Sequence, residues 1–442
     1  MDPQAPSVTD GAFDLDLSLQ VGKYDVEKLL GKGATGTVYL ATDTFTGEKV
    51  ALKTIEPEVF RDPEFGAVHR SQFVNEASLA GKLKHPHIAQ ILEAVMQEDS
   101  GYIAMELVLG GDLSLHATPD TRLPVADVLQ IGFKCCGALE FAFDEGIVHR
   151  DIKPANIMLT EGTATDVKIT DFGSAVLRRS QVVQTAIMGS PFYVPPEQIE
   201  GEKPTFHGDM YSLGVVLYEL LAGRRPFVAD RLNILVTKIL NEKPTPLGLL
   251  REDLPAQIDE VVLRAMARRP AERYPTWAEF AGALSNVLRI VLPEGAIPDS
   301  ERFLSLKRVA MFAGLDDAEI WELAKAARWS RARKGEAVIR ESEPGTSFFF
   351  LAEGEGKVTV KGRLLALVNP GECFGEMAYI RGGSEPRQAT VEATSDMLLA
   401  EFEPKALGRM SLSAQLQLMR ALVRNVVDRL VFANRRAGRG SS

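Results

Sequence analysis

The sequence predicts an α+β protein assembled from two differently built parts, and three observations carry that prediction. The 442 residues are too many for one compact core, so two or three domains are expected. In the first three fifths, hairpin-like strands around Gly31 to Lys53 give way to long helical repeats such as Val128, Ile131, Cys135, Leu139 and Ala142. Beyond residue 336 the texture changes to short strands separated by turns at Pro344-Gly345, Glu353-Gly354-Glu355-Gly356, Gly362-Arg363 and Asn369-Pro370-Gly371. Strands so spaced close into a small barrel or jelly roll, here sealed by a helix over 412 to 432.

Apolar residues make up 45% and charged residues 25%, the composition of an ordinary globular protein. The net charge of −10 is unevenly spread: residues 302–442 carry 22 Lys and Arg against 17 Asp and Glu, and residues 1–301 carry 28 against 43. Opposite signs suit modules that attract each other or prefer different partners. They do not indicate nucleic acid, and Arg435-Arg436 reads as a solvated tail instead of the start of a DNA-binding motif. The longest apolar run, 213 to 222, is too short for a membrane span and contains Glu219. The first twenty residues are acidic with no basic residue, unlike a secretory signal, so the chain reads as cytoplasmic. Cys135, Cys136 and Cys373 read as small core residues.

Taken in order, residues 1–21 read as a flexible leader, and structure is expected from about Tyr24. Gly31, Gly33 and Gly36 follow as G-x-G-x-x-G, where missing side chains let backbone amides approach phosphate oxygens. Dinucleotide-binding folds share that spacing but require a helix at the third glycine. Here a hairpin follows instead, 37–43 and 50–53 around Phe45-Thr46-Gly47-Glu48, ending in Lys53. A helix is expected over 70–83 with Glu76 in its middle, and another over 125–145. Then come His149-Arg150-Asp151-Ile152-Lys153-Pro154-Ala155-Asn156 and Asp171-Phe172-Gly173. Phosphoryl transfer needs a carboxylate beside the attacking hydroxyl, oxygen ligands for Mg²⁺ and a cation against the phosphates. Asp151, the pair Asn156 and Asp171, and Lys153 supply those groups. Singly, such an Asp is more often a turn former or a cap.

In that order and spacing the motifs resemble the catalytic core of eukaryotic-type protein kinases of the bacterial kind, across residues 22–292. The resemblance implies a bilobal kinase fold acting on Ser or Thr of protein substrates, with ATP and Mg²⁺ or Mn²⁺. It implies that Asp151 is the catalytic base, assisted by Lys153, and that Lys53 contacts the α- and β-phosphates and pairs with Glu76. Leu30, Val38, Ala51 and Met158 would sandwich adenine, backbone groups of Glu106 and Val108 would bond it, and Asp112 would reach the ribose. The stretch between Asp171 and Glu197 would be the activation segment, with Ser180 or Thr185 as candidate phosphorylation sites, Ser190 in the part, Gly189 to Glu197, that would receive the substrate, and Glu197 paired with Arg273. Asp209 would tie down the catalytic loop, besides reading as a helix cap. Ser190, Pro195 and His87 stand where the family usually has Thr, Ala and Asn.

After a linker over 293–301, residues 302–435 form the second module, followed by a basic tail, 436–442. Within it, Phe374-Gly375-Glu376-Met377-Ala378 and Pro386-Arg387-Gln388-Ala389-Thr390 resemble the phosphate-binding cassette of cyclic-nucleotide-binding domains. Arg387 would clamp the cyclic phosphate of cAMP or cGMP, Glu376 would accept from the ribose 2′-hydroxyl, and Gly375 and Ala389 would leave room for backbone donors. The implied protein is a Ser/Thr kinase regulated by a C-terminal nucleotide sensor. The competing reading is an inert kinase fold serving as a nucleotide-dependent scaffold.

Overall fold

The computed structural model describes residues 19–33, 36–63, 65–97, 100–174, 176–177, 191–382 and 386–439. The chain divides into two compact units: Met1–Leu83 with Ala89–Leu109 and Asp171–Ala175, and Lys84–Ile88 with Gly110–Thr170 and Val176–Ser442.

The first unit is built on strands β1 (Gln20–Val21), β2 (Tyr24–Gly33), β3 (Gly36–Asp43), β4 (Lys49–Ile55), β5 (Ile91–Met96) and β6 (Gly101–Glu106), with helices α1 (Pro57–Arg61) and α2 (Gly66–Ser78). The strands form one antiparallel sheet in the order β1-β2-β3-β4-β6-β5. Alternation along β4 turns Val50 and Leu52 onto a core shared with Tyr24, Val26, Ala41, Tyr102 and Ala104. Gly33 pairs with Gly36 at the β2–β3 turn, and a Cβ at Gly36 would collide with the Thr54 carbonyl. Two expectations are corrected here. The end of the stretch expected as leader is strand, Gln20 pairing with Asp25 and Val21 with Tyr24. Helix α2 ends at Ser78 and not Leu83, the chain turning at Gly81 with φ 73°.

The second unit begins with α3 (Val125–Asp144), followed by β7 (Ile147–Val148), β8 (Ile157–Leu159), β9 (Val167–Ile169), β10 (Val176–Leu177), α4 (Pro196–Ile199), α5 (Phe206–Ala222), α6 (Leu232–Asn241), α7 (Ala256–Ala265) and α8 (Trp277–Val291). Helix α5 is buried from Asp209 to Ala222 on every side, which is why its sequence reads as a nearly continuous apolar run. It stops at Gly223, where φ is 72° and a Cβ would lie 2.6 Å from the Pro119 nitrogen.

Helices α9 (Asp299–Lys307) and α10 (Asp317–Ala326) lead into strands β11 (Arg328–Ala332), β12 (Ala337–Ile339), β13 (Phe348–Glu353), β14 (Gly356–Val360), β15 (Arg363–Val368) and β16 (Cys373–Phe374). Then follow α11 (Glu376–Ile380), β17 (Thr390–Ala393), β18 (Met397–Phe402), α12 (Pro404–Leu407) and α13 (Leu412–Arg439). The strands make two four-stranded antiparallel sheets, β11-β18-β13-β16 and β12-β17-β14-β15. Strand β13 feeds two cores through its period of two. Phe349 and Leu351 join Val391 and Leu399 between the sheets, while Phe348 and Phe350 face α9, α10 and α13 through Leu306, Trp321 and Leu418. Both faces being covered, the run Phe348-Phe349-Phe350-Leu351 is apolar throughout.

Two further expectations change. Helix α9 starts at Asp299, inside the stretch expected as linker, because Asp299 and Glu301 place carboxylates in its first turn behind Pro298. Helix α13 runs to Arg439, through most of the expected tail, since no Pro or Gly interrupts residues 412–437.

Candidate functional site

In the first unit, β4 carries Lys53 opposite Val38 of the glycine hairpin, and α2 carries Glu76. The Lys53 ammonium donates to Glu76 Oε2 at 2.9 Å and to Asp171 Oδ1 at 2.8 Å. Burial pulls the lysine pKa down, and the two carboxylates more than reverse this, so its pKa is raised overall and it stays charged. Asp171 is held at φ 60°, rare for a residue with a side chain. Gly173 follows against Glu76, where a Cβ would sit 3.1 Å from Oε2. Ala51 and Val108 are buried, whereas Leu30 is 45% exposed. The Glu106 amide donates to the Gln90 carbonyl at 2.8 Å, so an adenine contact at that residue would use its carbonyl.

In the second unit the loop after β7 is fixed from below by Asp209. Its carboxylate accepts from the amides of His149 at 2.7 Å and Arg150 at 2.8 Å. This allows Arg150 to stand at φ 68°. Burial raises the Asp209 pKa, against the pull of those donors and of neighbouring cations. His149 accepts from the Asp151 amide at Nδ1 and reaches the Thr170 carbonyl through Nε2, so Nε2 bears the proton. On Asp151, Oδ2 accepts from Lys153 Nζ at 2.6 Å and Asn156 Nδ2 at 3.1 Å. Its Oδ1 receives no donor among the described residues. Asp112 caps a short helical turn through Ser114 and forms a backbone bridge with Met158, bringing those two predicted positions side by side.

Arg273 donates to both Glu197 oxygens at 2.7 Å and to the carbonyls of Ala267, His207 and Arg268, and both side chains are buried. Ser180, Thr185 and Ser190 lie outside the described residues.

In the C-terminal module, Gly375 at φ 78° turns the chain into α11, and Glu376 is buried at the head of that helix. Ala378 closes the turn by donating to the Gly375 carbonyl at 3.2 Å, while Met377 is exposed. Arg387 precedes Gln388, Ala389 and β17, and its guanidinium is buried. It donates to the Gly375 carbonyl at 3.1 Å and to Ser347 Oγ at 3.2 Å, both neutral groups. Ser347 in turn donates to Glu401 Oε1 at 2.8 Å. Burial lowers the Arg387 pKa, with Glu401 opposing. A Cβ at Gly375 would lie 2.8 Å from Nη1, so a side chain there would displace the guanidinium, besides being strained at this φ. Ser347 and Glu401 escape motif reading. The available signal is Glu401 itself, an acid inside the buried strand β18.

Residues 24–279 match the family model for the protein kinase domain. The chain belongs to the protein kinase family. Among similar proteins, the serine/threonine-protein kinase PknB of Mycobacterium leprae is 36% identical over 289 residues, 63% of this chain and 46% of the relative. The probable PknB of Corynebacterium glutamicum is 35% identical over 286 residues, 62% of this chain and 43% of the relative. PknB of Mycobacterium tuberculosis is 35% identical over 298 residues, 65% and 47% respectively. This protein kinase family member thus spans under half the length of these relatives. Its residues 329–413 match the model for the cyclic nucleotide-binding domain. Among the described residues no helix is long and apolar enough to cross a membrane.

Proposed function

We propose that the chain is a Ser/Thr protein kinase, transferring the γ-phosphoryl group of ATP to protein hydroxyls under the control of a cyclic nucleotide bound by the C-terminal module. The observation that carries the catalytic half is Asp151. Two donors fix one carboxylate oxygen, and the other oxygen is left to accept a hydroxyl proton. The acceptor oxygen then bonds to the γ-phosphorus, the bond to the β–γ bridging oxygen breaks, and ADP departs. Lys153 carries positive charge to the transferred group, and Lys53, oriented by Glu76, to the α- and β-phosphates. Asn156 and Asp171 would hold the divalent metal. Their amide and carboxylate oxygens are the hard donors that Mg²⁺ or Mn²⁺ takes, and the bound metal neutralises charge on the phosphates. Lys153 and the short Gly189-Ser190-Pro191 segment favour Ser or Thr over Tyr as acceptor.

Support for the ligand half comes from a buried guanidinium whose hydrogen-bond partners among the described residues are neutral. Such a cation gains most from an anion of fixed geometry, as a cyclic phosphate is. Arg387→Gln is expected to weaken cyclic-nucleotide binding about 10- to 100-fold, from the loss of one charged pair. Titration of a fluorescent cyclic nucleotide checks this, and unchanged affinity would remove Arg387 from the site. Regulation requires that the ligand prefer one state, and a hundredfold preference supplies about 2.7 kcal/mol.

The deciding experiment is radiolabelled transfer from ATP to a generic basic protein, with and without each cyclic nucleotide, with Asp151→Asn as control. No transfer under any condition would leave the scaffold reading. Phosphate on Ser180 or Thr185 is expected after incubation with MgATP, since Arg150 precedes the base as in kinases whose activation segment is phosphorylated. Peptide mass spectrometry showing neither residue modified would refute it.

A further inference from the structure

Lys134 sits in the middle of α3, fully buried, and no catalytic role claims it. Its ammonium donates to Asp166 Oδ1 at 2.7 Å, Asp299 Oδ2 at 2.7 Å and Thr165 Oγ1 at 3.1 Å, and lies 5.9 Å from the Trp321 ring centre. Asp299 opens α9 and Trp321 belongs to α10, so one buried cation joins the kinase lobe to the helices that lead into the nucleotide-binding module. From α10, Lys325 reaches the other oxygen of Asp166 at 3.0 Å. Beside this network, Phe133 of α3 packs edge-on against Phe303 and Trp321 within the module's own core.

Asp166 stands where the β8–β9 hairpin turns, its carbonyl accepting from the Thr160 amide at 2.8 Å. The far end of that hairpin holds the metal-ligand candidates. Strand β8 follows directly on Asn156, β9 leads through Thr170 to Asp171, and the Thr170 amide donates to the Asn156 carbonyl at 2.9 Å. A third support is His87. Its Nδ1 donates to the Val167 carbonyl at 2.9 Å, its own carbonyl accepts from the Ile169 amide at 2.9 Å, and its ring meets Trp321 edge-on at 5.0 Å. The residue that departs from the usual Asn therefore touches both β9 and the C-terminal module. Two three-residue strands hold little stability of their own, so the hairpin's register depends on these clamps.

We propose that Lys134, Asp166 and Lys325 are positioning residues through which α9 and α10 hold the β8–β9 hairpin, so that the state of the C-terminal module is felt at the two residues that flank the hairpin in sequence, Asn156 and Asp171, each proposed above as a metal ligand. The functional half of this rests on the kinase reading above. The mechanical half, that the module's helices order the hairpin, does not.

Removing Lys134 would take the shared cation from Asp166 and Asp299 and leave a gap in the middle of α3, so the test uses partners on the module side. In the full chain, Asp299→Asn combined with Lys325→Gln is compared with wild type and with Lys325→Arg, which keeps the charge. Hydrogen exchange of peptides covering 157–170 is expected to quicken about tenfold in the double variant, with a control peptide in α7 unchanged and Lys325→Arg close to wild type. The Mg²⁺ concentration giving half-maximal phosphoryl transfer is expected to rise about fivefold, with the KM for ATP at saturating Mg²⁺ within about twofold of wild type. Unchanged exchange over 157–170 overturns the proposal, as does faster exchange with an unaltered Mg²⁺ requirement. A general fall in rate with exchange raised everywhere also overturns it, marking the contacts as merely stabilising. If the wild-type chain transfers no phosphate, the kinase reading is what fails, and the exchange arm still decides whether the module holds the hairpin.

Discussion

Asp151→Asn is expected to slow phosphoryl transfer to protein by about 10³-fold while leaving the KM for ATP within about twofold. The substitution keeps the shape of the side chain and one oxygen to receive Lys153 Nζ and Asn156 Nδ2, so the loop held by Asp209 stays in place. It removes the charge and the proton affinity on which the proposed role of Oδ1 as base rests. The loss therefore falls on kcat, because the missing interaction forms only as the hydroxyl proton moves. Lys53→Met differs. Its target is a buried cation satisfied by two carboxylates, and its removal leaves Glu76 facing Asp171 with no charge between them. That variant is expected to fall in kcat and rise in KM together, since Lys53 is proposed to act on the bound phosphates. Initial rates over a matrix of ATP and acceptor concentrations separate the two. An Asp151→Asn chain retaining a tenth of wild-type kcat would deny the aspartate its role as base.

What the sequence made legible follows from how local each determinant is. The loop 149–156 and its partners carry residue types at fixed spacings, and three separate pairings are seen: Lys53 with Glu76, Asp209 with the His149 amide, and Glu197 with Arg273. The hairpin between Gly31 and Lys53 was readable because strand alternation and turn residues act over a few positions. The determinants that stayed hidden are pairings between distant residues: Arg387 with Ser347, Ser347 with Glu401, Lys134 with Asp299. No period or motif encodes a partner 165 positions away. The visible sign is a charged residue inside a buried apolar run, Lys134 between Val128 and Leu139 of α3 and Glu401 in β18. Helix ends depart from expectation for a different reason. Pro293 and Pro298 around Gly295 resemble a linker, yet Pro298 is followed by the acidic first turn of α9.

Glu197→Ala is expected to destabilise the lobe containing it by about 3 to 5 kcal/mol, the usual cost of removing one partner from a buried ion pair. Arg273 would keep its three carbonyl acceptors but lose both charge-assisted bonds, leaving a guanidinium 1% exposed without a counter-charge. Tyr211, 5.0 Å beneath that guanidinium, offers a ring face that offsets only a fraction of the loss. Removing both charges should be milder than removing one, so Glu197→Gln with Arg273→Met is expected to recover at least half of the lost stability. Urea denaturation followed by tryptophan fluorescence checks this, since Trp277 is buried at the head of α8 in the same lobe. A shift below about 1 kcal/mol in the single variant would mean that water or rearrangement satisfies the arginine. The pair also fixes α4, whose first turn contains Glu197 and which follows Pro191–Tyr193 after Val194 and Pro195. Transfer to protein acceptors should therefore fall more steeply in Glu197→Ala than binding of ATP, because the segment proposed to favour Ser or Thr acceptors leads into α4, while the residues proposed to hold the nucleotide lie elsewhere in the chain.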